Sequence, residues 1–327
     1  MPERSALTQG VQIGVESTPG TSVAANKSLN SVGIGPAIKV DMQRFLPMGQ
    51  KYASIITPGK EWVEADLEGV GTYSELIYLL SSLLVSTAGV QQAATTAYKW
   101  TFAPASKSED TVKTFTVEAG GAIRAHKFSY GLVTEIEMDI NRDGISISGA
   151  MLGQRLTDNI TLTASPTAIE EKPILPTDID VFLDSSSGAL GTTKLTRVLN
   201  CNIKIGDRFN PVWVLNTANN SFVAHVEAEP SAQITLLLEA DSSGMGILTN
   251  MRAGTTQFLR MKATSPDLAG AAIPYSVAWD SAIKVSDVGD FSDEDGVFAI
   301  EWTFDIVHDA TWGKALTVDV INKQITL

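Results

Sequence analysis

Carboxylates recur at even spacing in three stretches of this sequence: Glu64, Asp66 and Glu68; Glu135, Glu137 and Asp139; Glu301 and Asp305. Side chains two apart in a β-strand point the same way, so each set acidifies one strand face. Such a face can hold a cation, divide acid and base roles across a glycosidic bond, or repel a polyanion. A cation site needs a full ligand set. Asp139-Ile140-Asn141-Arg142-Asp143-Gly144 matches the first half of a calcium loop, but the twelfth position is Ala150 and the flanks alternate like strands. A hairpin turn is the expectation there. Asp290, Asp293, Glu294 and Asp295 also offer oxygen ligands, and read first as an acidic surface loop. A glycosidase needs a carboxylate pair in a concave, aromatic-lined site, for which Trp279 and Trp302 are the only hint.

Other reactive groups are scattered. His126, His225 and His308 lie far apart without metal-ligand spacing. No G-x-S-x-G elbow occurs, and Gly33-Ile34-Gly35 and Gly120-Gly121 lack the rest of a dinucleotide or phosphate loop. The single cysteine, Cys201, reads as a small strand residue and excludes an intrachain disulfide. Asn26, Asn159 and Asn219 open glycosylation sequons, which matter only in a secreted chain. Catalytic residues, metal and cofactor are therefore expected to be absent, and an enzymatic role with them.

The elements that carry the carboxylates are strands. Phe128 to Met151 alternates, turns at Asn141 to Gly144 and alternates again, which predicts a β-hairpin. Trp62 to Glu68 and Ile34 to Val40 are two more strands, with Pro36 marking an edge. Lys51 to Lys60, with Pro58-Gly59, reads as a loop. Thr72 to Leu84 is the clearest helix: Thr72 or Ser74 caps it, and Leu76, Leu79, Leu80, Leu83 and Leu84 make one apolar face. Met245 to Met251 reads as a second, short helix.

The hairpin returns. Tyr275 to Asp309 repeats its order: an aromatic-Ser pair, an alternating strand, an acidic turn ending in Asp295-Gly296, and another strand. Ala37 to Val40 likewise resembles Asn202 to Ile205. The order predicts two copies of one domain, at 31–155 and 195–327, after an N-terminal arm at 1–30 and joined by a Pro- and Ser-containing linker at 156–194.

Composition fits two globular units. The 327 residues are 44% hydrophobic, enough for each half to bury a core. No apolar run reaches the roughly 20 residues of a membrane helix, and the first residues lack a signal-peptide pattern. A net charge of −13 argues against a phosphate-binding surface as the main activity.

These residues resemble the tail tube (major tail) proteins of long-tailed bacteriophages. The likeness lies in Gly14 to Thr21, in Leu67-Glu68-Gly69 leading into Tyr73 to Leu76, in Phe128 to Gly131, and in Arg142-Asp143-Gly144 followed by Ser148-Gly149 and Leu152-Gly153-Gln154. It is firmest over residues 10–155. The resemblance implies a mainly β fold of two tandem β-sandwich, barrel-forming domains, each with a flanking helix. It implies a virion protein, assembled in the host cytoplasm, whose rings stack into a hollow tube that conducts DNA without binding it specifically. Its partners would be other copies of itself, a tape-measure protein and a tail terminator. Three two-domain chains would form a pseudo-sixfold ring, and a hexamer is the other arrangement. Glu64, Asp66, Glu68, Glu135, Glu137, Asp139, Glu301 and Asp305 would face the lumen, and residues 10–30, the 51–60 loop and the C-terminal strand would meet the next ring. A binding or decoration module that does not polymerise is the competing class.

Overall fold

The computed structural model describes residues 9–121, 123–215, 220–240, 242–294 and 296–327; residues 1–8, Asn219 and Asp295 lie outside them. The chain is mainly β. In order, the first half runs Gly10–Val15 (β1), Lys27–Leu29 (β2), Val32–Phe45 (β3), Ile55–Val70 (β4), the helix Leu76–Leu83 (α1), Val90–Gln91 (β5), Tyr98–Phe102 (β6), Phe115–Gly120 (β7), Ala125–Asn141 (β8), Gly144–Gly153 (β9) and Thr157–Ile160 (β10). Thr167–Ala168 (β11) follows. The second half runs Ile179–Asp184 (β12), Lys194–Leu195 (β13), Val198–Gly206 (β14), Phe209–Val212 (β15), Ala224–Glu227 (β16), Ser231–Glu239 (β17), the helix Ser242–Ala253 (α2), Gln257–Gly270 (β18), Ile273–Glu294 (β19), Val297–Ile306 (β20) and Leu316–Asn322 (β21).

Pairing repeats itself across the halves. β3, β4, β9 and β8 pair side by side, and so do β14, β17, β20 and β19. The long strands β8 and β19 also serve a second layer with their first halves. There β8 takes β7 and β10 as neighbours, and β19 takes β18 and β21. β1 then lies on β7 as β12 lies on β18. The helix follows β4 and precedes the β8–β9 hairpin in the first half, and follows β17 and precedes the β19–β20 hairpin in the second.

The two four-strand sets are one sheet. β8 pairs antiparallel with β14, from Ile136 opposite Ile205 to Ile140 opposite Cys201. The core is correspondingly shared. One contiguous apolar cluster runs from Ile13 through Leu67, Met138, Ile203 and Trp302 to Val320, in place of one core for each half. β6 adds to this by crossing over to pair with β21.

Several expectations change at the level of pairing. Residues 10–29 are not a free arm, because β1 is hydrogen-bonded between β2 and β7. Residues 156–194 are not only a linker, because β10, β11 and β12 are all paired within them. The 51–60 loop is largely strand: β3 and β4 extend as a two-stranded ribbon as far as Phe45 opposite Ile55. Pro58 is accommodated because β9 joins β4 only from Val63 onward, so the ribbon has no outer ladder to break there.

α1 is buried on every side, which its leucine-rich sequence permits. The Thr72 hydroxyl accepts the Glu75 N–H at 3.2 Å, as a capping residue should. Glu75, 2% exposed, then reaches across to the chain entering β3. It accepts the Asn30 N–H at 2.7 Å, the Ser31 N–H at 3.0 Å, the Val32 N–H at 3.1 Å and the Ser31 hydroxyl at 2.5 Å. At the other end of α1, the buried Arg208 donates to the Leu84 carbonyl at 2.9 Å and pairs with Asp110 and Glu227, tying the β15–β16 ribbon to the first half. Removing Glu75 orphans the buried Val32 N–H, worth about 1–3 kcal/mol, and leaves the part-buried Asn30 and Ser31 donors without their acceptor. Glu75→Ala is therefore expected to cost roughly 3 kcal/mol or more in urea denaturation, with Glu75→Gln losing less.

Candidate assembly face and sheet edges

Directly opposed residues of an antiparallel sheet lie on the same face. One such row runs Gly33, Glu68, Ser148, Glu137, Lys204, Gln233, Asp305, Lys284 across all eight strands from β3 to β19. The neighbouring row on the other face runs Val32, Gly69, Ile147, Met138, Ile203, Ile234, Phe304, Val285. The second row is core and the first faces outward. Alternation in each strand thus becomes one polar face and one apolar face of a single wide sheet.

All eight carboxylates named from the sequence fall on the polar face. Glu64, Asp66 and Glu68 are exposed on β4, opposite Leu152, Ala150 and Ser148. Glu135, Glu137 and Asp139 are half-buried on β8, opposite Ala150, Ser148 and Ser146. Asp66 and Glu135 therefore flank Ala150 in one row. Glu301 and Asp305 stand on β20, opposite Leu237 and Gln233. The structure brings together on one surface what the sequence distributes over 242 positions, from 64 to 305.

The face is acid-rich but interrupted by cations. Lys204 on β14 reaches Glu135 at 2.9 Å and Glu137 at 3.5 Å, and these contacts raise its pKa. Asn202 donates to Glu137 and Asn200 to Asp139, each at 2.8 Å. The β8 carboxylates are thus partners in the contact between the halves. On β4, the Trp62 indole donates to Glu64 at 2.9 Å and, with Lys39 at 3.2 Å, holds its carboxyl below the usual range.

The remaining reactive groups resolve into structure. The Asn141 side chain accepts the Asp143 and Gly144 N–H groups, and Asp139 accepts from Asn141 and Asn200, so the calcium-like sequence is a closed turn. Asp293 accepts the Gly296 N–H at 2.7 Å in the second hairpin turn. Cys201 is fully buried, and burial together with the Asp139 charge pushes its thiol up to about 12. His225 shares a 2.9 Å hydrogen bond with the Tyr130 hydroxyl, and burial lowers its pKa. Among the described residues no three His, Cys, Asp or Glu side chains are grouped so as to hold a metal, and no helix is long and apolar enough to cross a membrane.

Two features escaped the sequence. Glu16 is 3% exposed and accepts from Thr114 and Thr116 hydroxyls and the Gly20 and Tyr130 N–H groups at 2.7–3.0 Å, so it holds the segment after β1 against β7 and β8. Nothing local marks it, since its donors lie up to 114 residues away. The other is the β3–β4 ribbon, whose Ile38, Met42, Phe45, Ile55 and Ile56 are all more than half exposed. An apolar surface of that kind marks an interaction site.

No protein-family model and no curated protein matches the chain. Among solved structures, the SPP1 tail tube, a hybrid of solid-state NMR and cryo-EM, aligns with 47% of this chain and 81% of its own at 13% identity and a TM-score of 0.32. At that score neither fold nor role follows from the likeness.

Two outcomes test this geometry. Lys204→Glu places like charges across β8 and β14 and is expected to lower stability by about 1 kcal/mol, partly restored by Glu137→Lys, in urea denaturation. In the wild-type chain the Lys204 contribution is complete below the unfolded lysine pKa of about 10.4 and is lost as pH rises through the raised folded value. Cys201 is expected to resist alkylation by iodoacetamide at pH 8 in the folded chain and to react fully in denaturant, measured by mass shift.

Proposed function

We propose that this chain is a structural virion protein of the tail tube type, with two copies of one tube domain, whose rings stack into a conduit for DNA. The observation that carries the proposal is the continuous run of eight paired strands from β3 to β19 within the larger sheet, acid-rich on one face, with no strand on the outer edge of β3 or along the second half of β19 among the described residues. Open edges of that length are an association hazard for a lone sheet, and closure into a barrel removes them.

Strand count sets the ring. Strands about 4.8 Å apart and tilted about 40° give a barrel of 24 strands a backbone diameter near 48 Å by order of magnitude. Side chains reduce that to roughly 38 Å of free bore, wider than a DNA duplex. Two chains, with about 16 strands, would leave hardly more than a duplex, and six would leave a bore several times wider. Three chains are the assembly that fits, with pseudo-sixfold symmetry from the recurring four-strand sets. The polar face then lines the bore, and the apolar face packs against α1, α2 and the second layer. An acid-rich bore repels phosphate, so DNA slides without sticking. The assignment places no chemistry on the chain, and its partners are other copies and the proteins that set the length of a tail.

Negative-stain electron microscopy of the purified chain over a concentration series tests the class. Rings or tubes with a central hole and threefold or pseudo-sixfold averages are expected. Uniform monomers at every concentration would favour a non-polymerising binding module. For the bore, tubes of the Asp66→Lys, Glu68→Lys, Glu301→Lys variant are expected to retain short duplex DNA on co-sedimentation where wild-type tubes do not. Equal retention would place this face outside.

A further inference from the structure

We infer that the β15–β16 ribbon is an acid-sensitive strap: protonation of His225 releases it from the acid-rich face of the sheet while the eight strands beneath stay paired. The ribbon is a separate two-stranded sheet, with Phe209 opposite Glu227 and Pro211 opposite His225. It lies across one end of the outward face, where Leu132 and Leu152 oppose each other in the row that holds Glu64. Phe209 and Phe222 close over these leucines with Val112 and Tyr130, and Trp62 and Trp213 pack against them. This apolar cluster is distinct from the core that both halves share, so the strap can leave without opening that core.

The first half of the chain shows where a released strap can go. β14 and β17 hold the place of β3 and β4 in their four-strand sets. β3 and β4 run on into an extended ribbon, as far as Phe45 opposite Ile55. β14 and β17 stop at Gly206 opposite Ser231. Asp207 then takes a left-handed conformation, φ 56°, and the ribbon folds back over the first half. That conformation is sparsely populated in a residue with a Cβ, so contacts made by the ribbon itself must hold the folded-back position.

His225 carries the trigger. Its ring meets Tyr130 at 5.8 Å and Phe209 at 5.1 Å, both edge to face, and shares a 2.9 Å hydrogen bond with the Tyr130 hydroxyl. A neutral ring with its proton on Nε2 accepts the Tyr130 O–H at Nδ1; the cation carries a proton on both nitrogens and cannot. Tyr130 is itself fixed, with φ 59° and its N–H given to the buried Glu16 at 2.9 Å. The charged groups around the ring are Glu227 on β16, Glu109 and Asp110 in the segment before β7, Arg208 before β15, and Glu16 behind Tyr130. Glu227 and Glu109 favour the cation, but Arg208 already pairs with Glu227 and Asp110, and Glu227 accepts the Asp110 N–H at 3.1 Å. Burial outweighs the carboxylates and holds the His225 pKa below its ordinary value of 6.5. A histidine shifted down contributes stability that is complete above its unfolded pKa and lost as pH falls through the folded one, so acid weakens the docking of the strap.

Hydrogen exchange of the full chain at pH 7.5 and pH 5.5, read by mass spectrometry and corrected for the intrinsic chemical rate, tests the strap. Peptides covering β15 and β16 are expected to lose protection by at least about tenfold at the lower pH, with β8, β14 and β17 unchanged. In His225→Gln, whose neutral side chain can still meet the Tyr130 hydroxyl, the two pH values should give equal protection. Equal protection of the strap at both pH values in the wild type would overturn the inference. So would an acid loss as large in His225→Gln as in the wild type, which would place the trigger on the carboxylates. Where the variant strap is already open at pH 7.5, the wild-type NMR titration of His225 decides. Its midpoint must lie below 6.5 and coincide with strap opening, followed by the fluorescence of the Trp62–Trp213 contact at 5.6 Å; separate midpoints overturn the inference.

Discussion

Backbone hydrogen bonding between β8 and β14 is the constraint from which the architecture follows. Five opposed pairs, Ile136–Ile205 to Ile140–Cys201, turn two sets of four strands into one sheet. Because the sheet is continuous, so is the apolar layer behind it, and a single cluster spans both halves. Because side chains alternate, the residues between the core positions face the other way, and there they are mostly polar, with Leu132 and Leu152 covered by Phe209 and Phe222. Lys204 then neutralises part of the acid that collects there, and the flanking asparagines donate hydrogen bonds to it. A sheet so built has two ends, and a strand edge with unpaired donors and acceptors has no stable resting place except water, a cap or another strand.

Buried carboxylates do a second kind of work. Glu16 and Glu75 collect backbone N–H groups from segments that turn before they can pair in a ladder. A carboxylate accepts several donors at once, and its bonds are stronger than neutral ones. Glu75 joins α1 to the start of β3, and Glu16 joins the segment after β1 to β7 and β8. These residues set where the sheet begins and how its layers meet, so the acidity of the chain is divided between fixing the fold and coating one face of it.

The hairpins and α1 were legible because they rest on local signals. The 3.6-residue leucine spacing of α1, the alternation of β8 and β9 and the Asn141 to Gly144 turn each act within a few residues. The eight carboxylates were legible as strand faces for the same reason. The pairing of segments 10–29 and 156–194 was not legible, because Gly, Ser, Thr and Pro favour loops locally while the partners that order them are β7, β8, β2 and β18. The ribbon through Pro58-Gly59 was misread for a related reason: an unpaired outer edge removes the penalty that proline carries inside a sheet.

The sequence by itself determined the mainly β class, the helix, the hairpin turns and which residues share a strand face, since side-chain period and turn chemistry are properties of neighbouring residues. Only the tertiary structure decided that Glu64, Glu137 and Asp305 lie on one surface, that Glu16 and Glu75 are anchors, and that both halves share a core. Those outcomes depend on which strands lie side by side and in what register. A one-residue slip between β8 and β14 would send every side chain of one half to the opposite face, and that choice is made by packing between residues some 65 positions apart, such as Met138 and Ile203.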